Sequence, residues 1–122
     1  MYVIKSERHQ RTLHKYISSV LSNEFVKYIN KIYLYGSCAR NEQTFYSDID
    51  LFIVLKENIS DDEFWKVKSV LSGECMLCVS DAANDADIDI HYTKNSEWYS
   101  ANDFFYEQIR KDCILLWERN KN

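Results

Sequence analysis

Five consecutive apolar residues, Leu51-Phe-Ile-Val-Leu55, close a β-rich run that begins at Ser47. A strand with one face in water alternates apolar and polar side chains, whereas an unbroken apolar run of this length marks a central strand buried on both faces. Such a strand needs cover on two sides, so the chain must supply helices around a sheet. At 122 residues and 46% hydrophobic content, it has the length of one domain and enough apolar material for a single core. We therefore read residues 1–122 as one unit, with no linker, repeat or low-complexity tract.

The remaining elements follow from periodicity. Leu13, Tyr16, Ile17, Val20 and Leu21 recur at spacings of three and four, which predicts an amphipathic helix from Ser6 to about Leu21, with a stop at Ser22-Asn23. Lys31 to Tyr35 is a short β-rich run ending at Gly36. Ser60-Asp-Asp-Glu63 has the spacing of a capping box and opens a helix expected to run to about Ser72, with Gly73 as its C′ stop. Residues 74–86 carry no clear period. Asp87 to Tyr92 alternates like a strand, Asp103 to Lys111 is helical, and Cys113 to Trp117 is a last apolar run, strand or helix end. The expected fold is a small α/β (α+β) domain whose mixed sheet is flanked by helices.

Charge and cysteine usage narrow the function. With 15 Lys and Arg against 19 Asp and Glu, bulk binding to a nucleic-acid backbone is not expected, while a nucleotide or protein partner stays open. No apolar run reaches the length of a membrane span, and Met1 to Gln10 lacks the pattern of a signal peptide, so a cytoplasmic protein is expected. Cys38, Cys75, Cys78 and Cys113 read as buried reduced thiols. Cys75 and Cys78 have zinc-knuckle spacing, but two further ligands are missing.

Composition also singles out one turn. Average usage would give about 8 Gly and about 6 Pro in a chain this long, and this one has 2 Gly and no Pro. One of the two, Gly36, follows the first strand and precedes Ser37. A Gly there lets backbone approach a ligand, and a helical turn after it presents N–H groups and a hydroxyl to an anion. Downstream, Asp48 and Asp50 are two apart in a strand and share a face, while Ile49 and Leu51 point into the core. Two carboxylates so close repel unless a cation lies between them, a geometry that suits Mg²⁺ with substrate phosphates as further ligands. The aspartates at 85, 87 and 89 do not form a calcium loop, because Ile90 and Ser96 stand where Gly and Glu are required.

Gly36, Ser37, Ala39 and Arg40, followed by Ser47, Asp48, Asp50 and Leu51, resemble the motif of the minimal nucleotidyltransferases of the DNA polymerase β-like superfamily, Gly-Ser-x-Ala-Arg-Gly, a short loop, then Ser-Asp-x-Asp-Leu. The layout of helix, motif, helix, strand and closing helix is similar over most of the chain. The departure is Asn41 in place of the motif's last Gly. Asn accepts the left-handed conformation better than other non-Gly residues, so the turn can survive. The resemblance implies a third carboxylate on a neighbouring strand. Asp87 and Asp89 share a strand face; Asp89 fits the family's pattern better, with Asp87 as the alternate.

That resemblance implies an Mg²⁺-dependent nucleotidyltransferase that moves a nucleoside monophosphate, AMP from ATP, onto an acceptor hydroxyl. Asp48, Asp50 and Asp89 would be the catalytic and metal-binding set. Gly36, Ser37, Arg40 and Ser47 would bind the nucleotide. In the family the partner is often a small helical protein of the HEPN group, and the pair acts as toxin and antitoxin. Two other readings are a binding module that neutralises a partner by covering it, and a small-molecule transferase of the aminoglycoside type. His91 shares the face of Asp89 and could line the site or be an ordinary satisfied histidine. The base, the acceptor and the oligomeric state are open.

Overall fold

In the computed structural model, which describes residues 2–120, the apolar run occupies the strand it predicts. Helix α1 (Glu7–Ser22) is followed by a 3-10 turn (Glu24–Tyr28), strand β1 (Ile29–Tyr35), a one-turn helix α2 (Gly36–Ala39) and strand β2 (Ile49–Leu55). Helix α3 (Asp61–Cys78), strand β3 (Ile88–Lys94), helices α4 (Asn95–Ser100) and α5 (Phe104–Asp112), and strand β4 (Ile114–Glu118) complete the order. The strands lie as β3-β2-β1-β4, with β2 parallel to β3 and the other pairs antiparallel. The sheet is mixed, as expected, and β2 is interior.

Each face has its own cover. Ile49, Leu51, Ile53 and Leu55 of β2, with Ile32 and Leu34 of β1, pack against Leu13, Tyr16, Ile17 and Val20 of α1 and Val67 and Leu71 of α3. The Tyr16 hydroxyl donates to the carbonyl of Leu71 at 3.1 Å, which ties the two helices together. On the other face, Phe52 and Val54 meet Trp98 of α4 and Ile109 of α5, with Tyr33 and Tyr35 half-buried beside them. Among the described residues, no helix is long and apolar enough to cross a membrane.

The capping box forms: Ser60 N–H donates to Glu63 Oε1 at 3.0 Å and Glu63 N–H to Ser60 Oγ at 3.1 Å. The expected stop at Gly73 does not. Helix α3 continues to Cys78, because Leu71, Cys75 and Cys78 extend its buried stripe past Gly73. A helical Gly costs about 1 kcal/mol relative to Ala, less than burial of that extra turn returns. Cys75 and Cys78 are thus a helical pair facing the core, and Cys113 is only half-buried. Strand β2 starts at Ile49, leaving Ser47 and Asp48 in the preceding loop, and β3 starts at Ile88, one residue after Asp87. The short helix α4 has no counterpart in the sequence reading; it spans six residues, with Trp98 its buried one.

Candidate active site

Strand β1 delivers Tyr35 to the end of the sheet, where Gly36 takes φ +74° and turns the chain into α2. This is left-handed backbone that favours Gly, and the space is also Gly-sized. A Cβ built on Gly36 would overlap Asp50 Oδ2 and stand 3.1 Å from Asp50 Cγ. The Gly therefore lets the backbone lie directly against a carboxylate. After α2, Asn41 takes φ +57°, so the residue that departs from the motif adopts the conformation for which the motif uses Gly. Glu42 N–H donates to the Ser37 carbonyl at 2.9 Å and closes the turn.

The loop that follows is held by its own polar groups. Thr44 N–H donates to Ser47 Oγ at 2.9 Å, and Ser47 N–H to the Thr44 carbonyl at 3.1 Å. The Ser47 hydroxyl, expected at the nucleotide, is therefore engaged in shaping the loop that presents Asp48. The Cys38 thiol donates to the Asp48 carbonyl at 3.5 Å from beneath; burial, followed by nearby Asp50, pushes that thiol up to about 11.

Asp50 pairs in register with Tyr35 on β1 and with Asp89 on β3. Neighbouring residues of adjacent strands point to the same face, so the carboxyls of Asp50 and Asp89 lie side by side. Burial, then Asp89 and Asp48, raise the Asp50 carboxyl to about 6, with Arg40 opposing. Burial and the same two strand carboxylates, Asp50 and Asp89, also push the Tyr35 phenol up. Asp87 sits one residue outside β3, and its carbonyl accepts from Ile49 N–H at 2.8 Å. The register thus sets Asp89 opposite Asp50, and Asp87 beside the approach to Asp48.

Arg40 is partly exposed, with Nε 3.2 Å from Glu42 Oε2. His91 lies beyond Asp89 on the same face, its Nε2 3.8 Å from Asp89 Oδ2 and its ring stacked 5.9 Å from that of Phe52. A cleft of about 180 Å³ opens beside Gly36, lined by Tyr35, Arg40, Phe105, Gln108 and Asp112 among others.

Among the described residues, no three His, Cys, Asp or Glu side chains are clustered tightly enough to form a ready-made cation site. The donors nevertheless fit a hard divalent cation. They are carboxylate oxygens, they crowd enough charge to raise Asp50 by repulsion as well as burial, and a cation of the Mg²⁺ type takes one or two carboxylates and completes its shell with phosphate and water. Asp48, Asp50 and Asp89 are the residues that could hold it. The sequence reading passed over Tyr35 and over His9, whose ring bonds the Ser47 carbonyl at 2.8 Å. His9 and Thr12 stand on the buried face of α1, and polar residues at core-facing helical positions were the available signal.

The family model described as Polymerase beta, Nucleotidyltransferase matches residues 15–122. Among solved structures, a toxin-antitoxin with AMP-PNP is 22% identical, with 88% of this chain and 74% of that chain covered at a TM-score of 0.53. A mutant of the toxin-antitoxin MntA-HpeT is 20% identical over the same shares, at a TM-score of 0.52. A candidate nucleotidyltransferase from Sulfolobus solfataricus is 23% identical, with 96% and 93% covered and a TM-score of 0.44. No curated protein matches the chain at significance.

Proposed function

The chain belongs to the Polymerase beta nucleotidyltransferase family, and on that footing we propose that it transfers AMP from ATP onto a hydroxyl of a small helical partner protein of the HEPN type. The observation that carries this reading is the in-register pair Asp50 and Asp89, with the Gly36 backbone directly against Asp50. What supports a protein partner is likeness of fold to a toxin-antitoxin with AMP-PNP and to a mutant of the toxin-antitoxin MntA-HpeT. Such a pair would work in the cytoplasm, where ATP is available.

The roles of the residues derive from their chemistry. Asp48, Asp50 and Asp89 would hold one or two Mg²⁺ ions. Bound there, the metal would neutralise charge on the triphosphate and on the entering and leaving oxygens. Gly36 and Ser37 would receive the β- and γ-phosphates on backbone N–H groups and a hydroxyl, with Arg40 as a charged phosphate contact once it leaves Glu42. Ser47 would contribute through the loop it braces. Asp89, exposed at the edge strand, would take the proton from the acceptor hydroxyl as its oxygen attacks the α-phosphorus and pyrophosphate departs. Asp87 is the alternate for that role.

The test is label transfer from α-labelled ATP to the co-expressed partner with Mg²⁺ present. Wild type is expected to label the partner, while Asp48→Asn and Asp89→Asn lose at least about a thousandfold in rate with unchanged folding. Undiminished labelling by Asp48→Asn would overturn the site assignment. Activity in Asp89→Asn and loss in Asp87→Asn would move the third carboxylate to Asp87. Co-purification of the partner without any labelling would leave a binding module instead.

A further inference from the structure

We propose that the first half of α1 is a positioning bracket that sets the spacing of the catalytic carboxylates, with His9 and Thr12 as its working residues. The inference rests on the proposed site, and its working residues, His9 and Thr12, precede the stretch matched by the family model, which starts at residue 15.

The bracket grips two backbone segments. One is the loop before Asp48: Arg8 Nη1 donates to the Phe45 carbonyl at 2.8 Å, and His9 Nε2 bonds the Ser47 carbonyl at 2.8 Å. The other is the approach to Asp89: Arg8 Nη2 donates to the Asp85 carbonyl at 2.6 Å, Ala86 N–H donates to Thr12 Oγ1 at 3.0 Å, and Lys15 Nζ pairs with Asp85 Oδ1 at 2.8 Å. Arg8 therefore bridges both segments with one guanidinium. Each gripped residue lies within four positions of a proposed ligand carboxylate, and the Ile49 to Asp87 bond joins the same two segments directly.

His9 and Thr12 are completely buried. Polar side chains are found in such positions only when hydrogen-bonded, because an unpaired one costs about 1–3 kcal/mol. Here their partners are specific. Ser6 Oγ lies 2.6 Å from His9 Nδ1 and also accepts from His9 N–H. A ring carrying its proton on Nε2 then accepts a hydrogen bond from the Ser6 hydroxyl at Nδ1 and donates one to the Ser47 carbonyl. Thr12 Oγ1 donates to the Arg8 carbonyl at 2.9 Å while it accepts from Ala86. Hydrophobic side chains at 9 and 12 would fill the core equally well but would remove one bond to each segment, leaving only the surface grips of Arg8 and Lys15. What these residues add is position: a carboxylate pair that must share a cation tolerates little displacement.

Mn²⁺ binding to the full chain with ATP, followed by electron paramagnetic resonance, tests the idea without needing the acceptor. Wild type is expected to bind, and Asp50→Asn to bind at least tenfold more weakly. Thr12→Val keeps the side-chain volume and removes the acceptor for Ala86; His9→Ala removes the grip on Ser47. Each is expected to weaken Mn²⁺ about tenfold and to speed amide exchange in residues 44–48 or 85–89. Thr12→Ser and His9→Gln, which retain the bonding groups, should restore at least half of the loss on a logarithmic scale. Wild-type Mn²⁺ affinity in folded Thr12→Val would overturn the bracket while leaving the proposed site intact. Equal weakening by Thr12→Ser and Thr12→Val would also overturn it, since packing alone would then be the cause. No Mn²⁺ binding by wild type would overturn the site and the bracket together.

Discussion

The two faces of the sheet are built from the same strands and do opposite things. Under α1 and α3, Ile32, Leu34, Ile49, Leu51, Ile53 and Leu55 are sealed from solvent. On the α4 and α5 side, the alternate residues of the same strands change character along their length. Val54 and Phe52 are buried, Asp50 is half-exposed, and Asp89 and His91 on β3 are exposed. A strand presents successive side chains to opposite faces, so β2 can be wholly committed to the core on one side and grade from core to chemistry on the other. The sealed face fixes the height and twist of the strands; the open face uses that rigidity to hold like charges together.

Substitution at Leu51 and at Gly36 separates these duties. Leu51→Ala empties a fully buried position and is expected to cost about 3–4 kcal/mol of stability, read from chemical unfolding. Transfer activity per folded molecule should stay within about threefold, because the sealed face touches no substrate. Gly36→Ala should do the reverse. Its Cβ would drive into the Asp50 carboxylate, and φ +74° is strained for any residue with a side chain. A displacement of that size is expected to reduce transfer about a hundredfold. The strain should lower stability by only about 1–2 kcal/mol. If Leu51→Ala abolished activity in the folded fraction, the division between the faces would fail.

The charge on the open face has its own cost, which pH exposes. Asp50 titrates near 6 in the folded chain against an ordinary 3.8. Between those values the folded state holds more protons than the unfolded one, so stability falls as pH rises through this window. Above pH 6 the penalty is fully present; below pH 4 it is gone. Asp50→Asn, measured in EDTA, should therefore be more stable than wild type at pH 7.5 and lose that advantage by pH 4. Half-exposure to water limits the gain to about 1 kcal/mol. An equal gain at both pH values would mean that packing, not charge, is responsible.

How much of this was legible in the sequence depends on whether local chemistry or tertiary contact decides. The interior position of β2 followed from its apolar run, and the Gly36 turn and the Asp50 face followed from residue type and a period of two. Strand periodicity could not separate Asp87 from Asp89, because parity is identical for both; the family resemblance favoured Asp89, and the β2–β3 register, a long-range fact, sets Asp89 beside Asp50. The bracket was hidden for a similar reason: His9 and Thr12 contact residues 38 and 74 positions away. Helix α4, six residues long, is shorter than the window over which a helical period can be recognised.

Gly73 shows the same limit most sharply, because one residue type carries two meanings in this chain. A Gly after a helical stripe signals a C-terminus when its φ is positive, yet Gly73 lies inside α3, the helix that covers the sealed face. A Cβ there would meet nothing within 4 Å. Gly73→Ala should therefore stabilise the chain by about 0.5–1 kcal/mol, through helix propensity and a less flexible unfolded state, with transfer activity unchanged. The same exchange at Gly36 is expected to damage both properties. If Gly73→Ala proved destabilising in chemical unfolding, α3 would end where the residue type suggested, and its last turn, with Cys75 and Cys78, would not belong to the cover of the sheet.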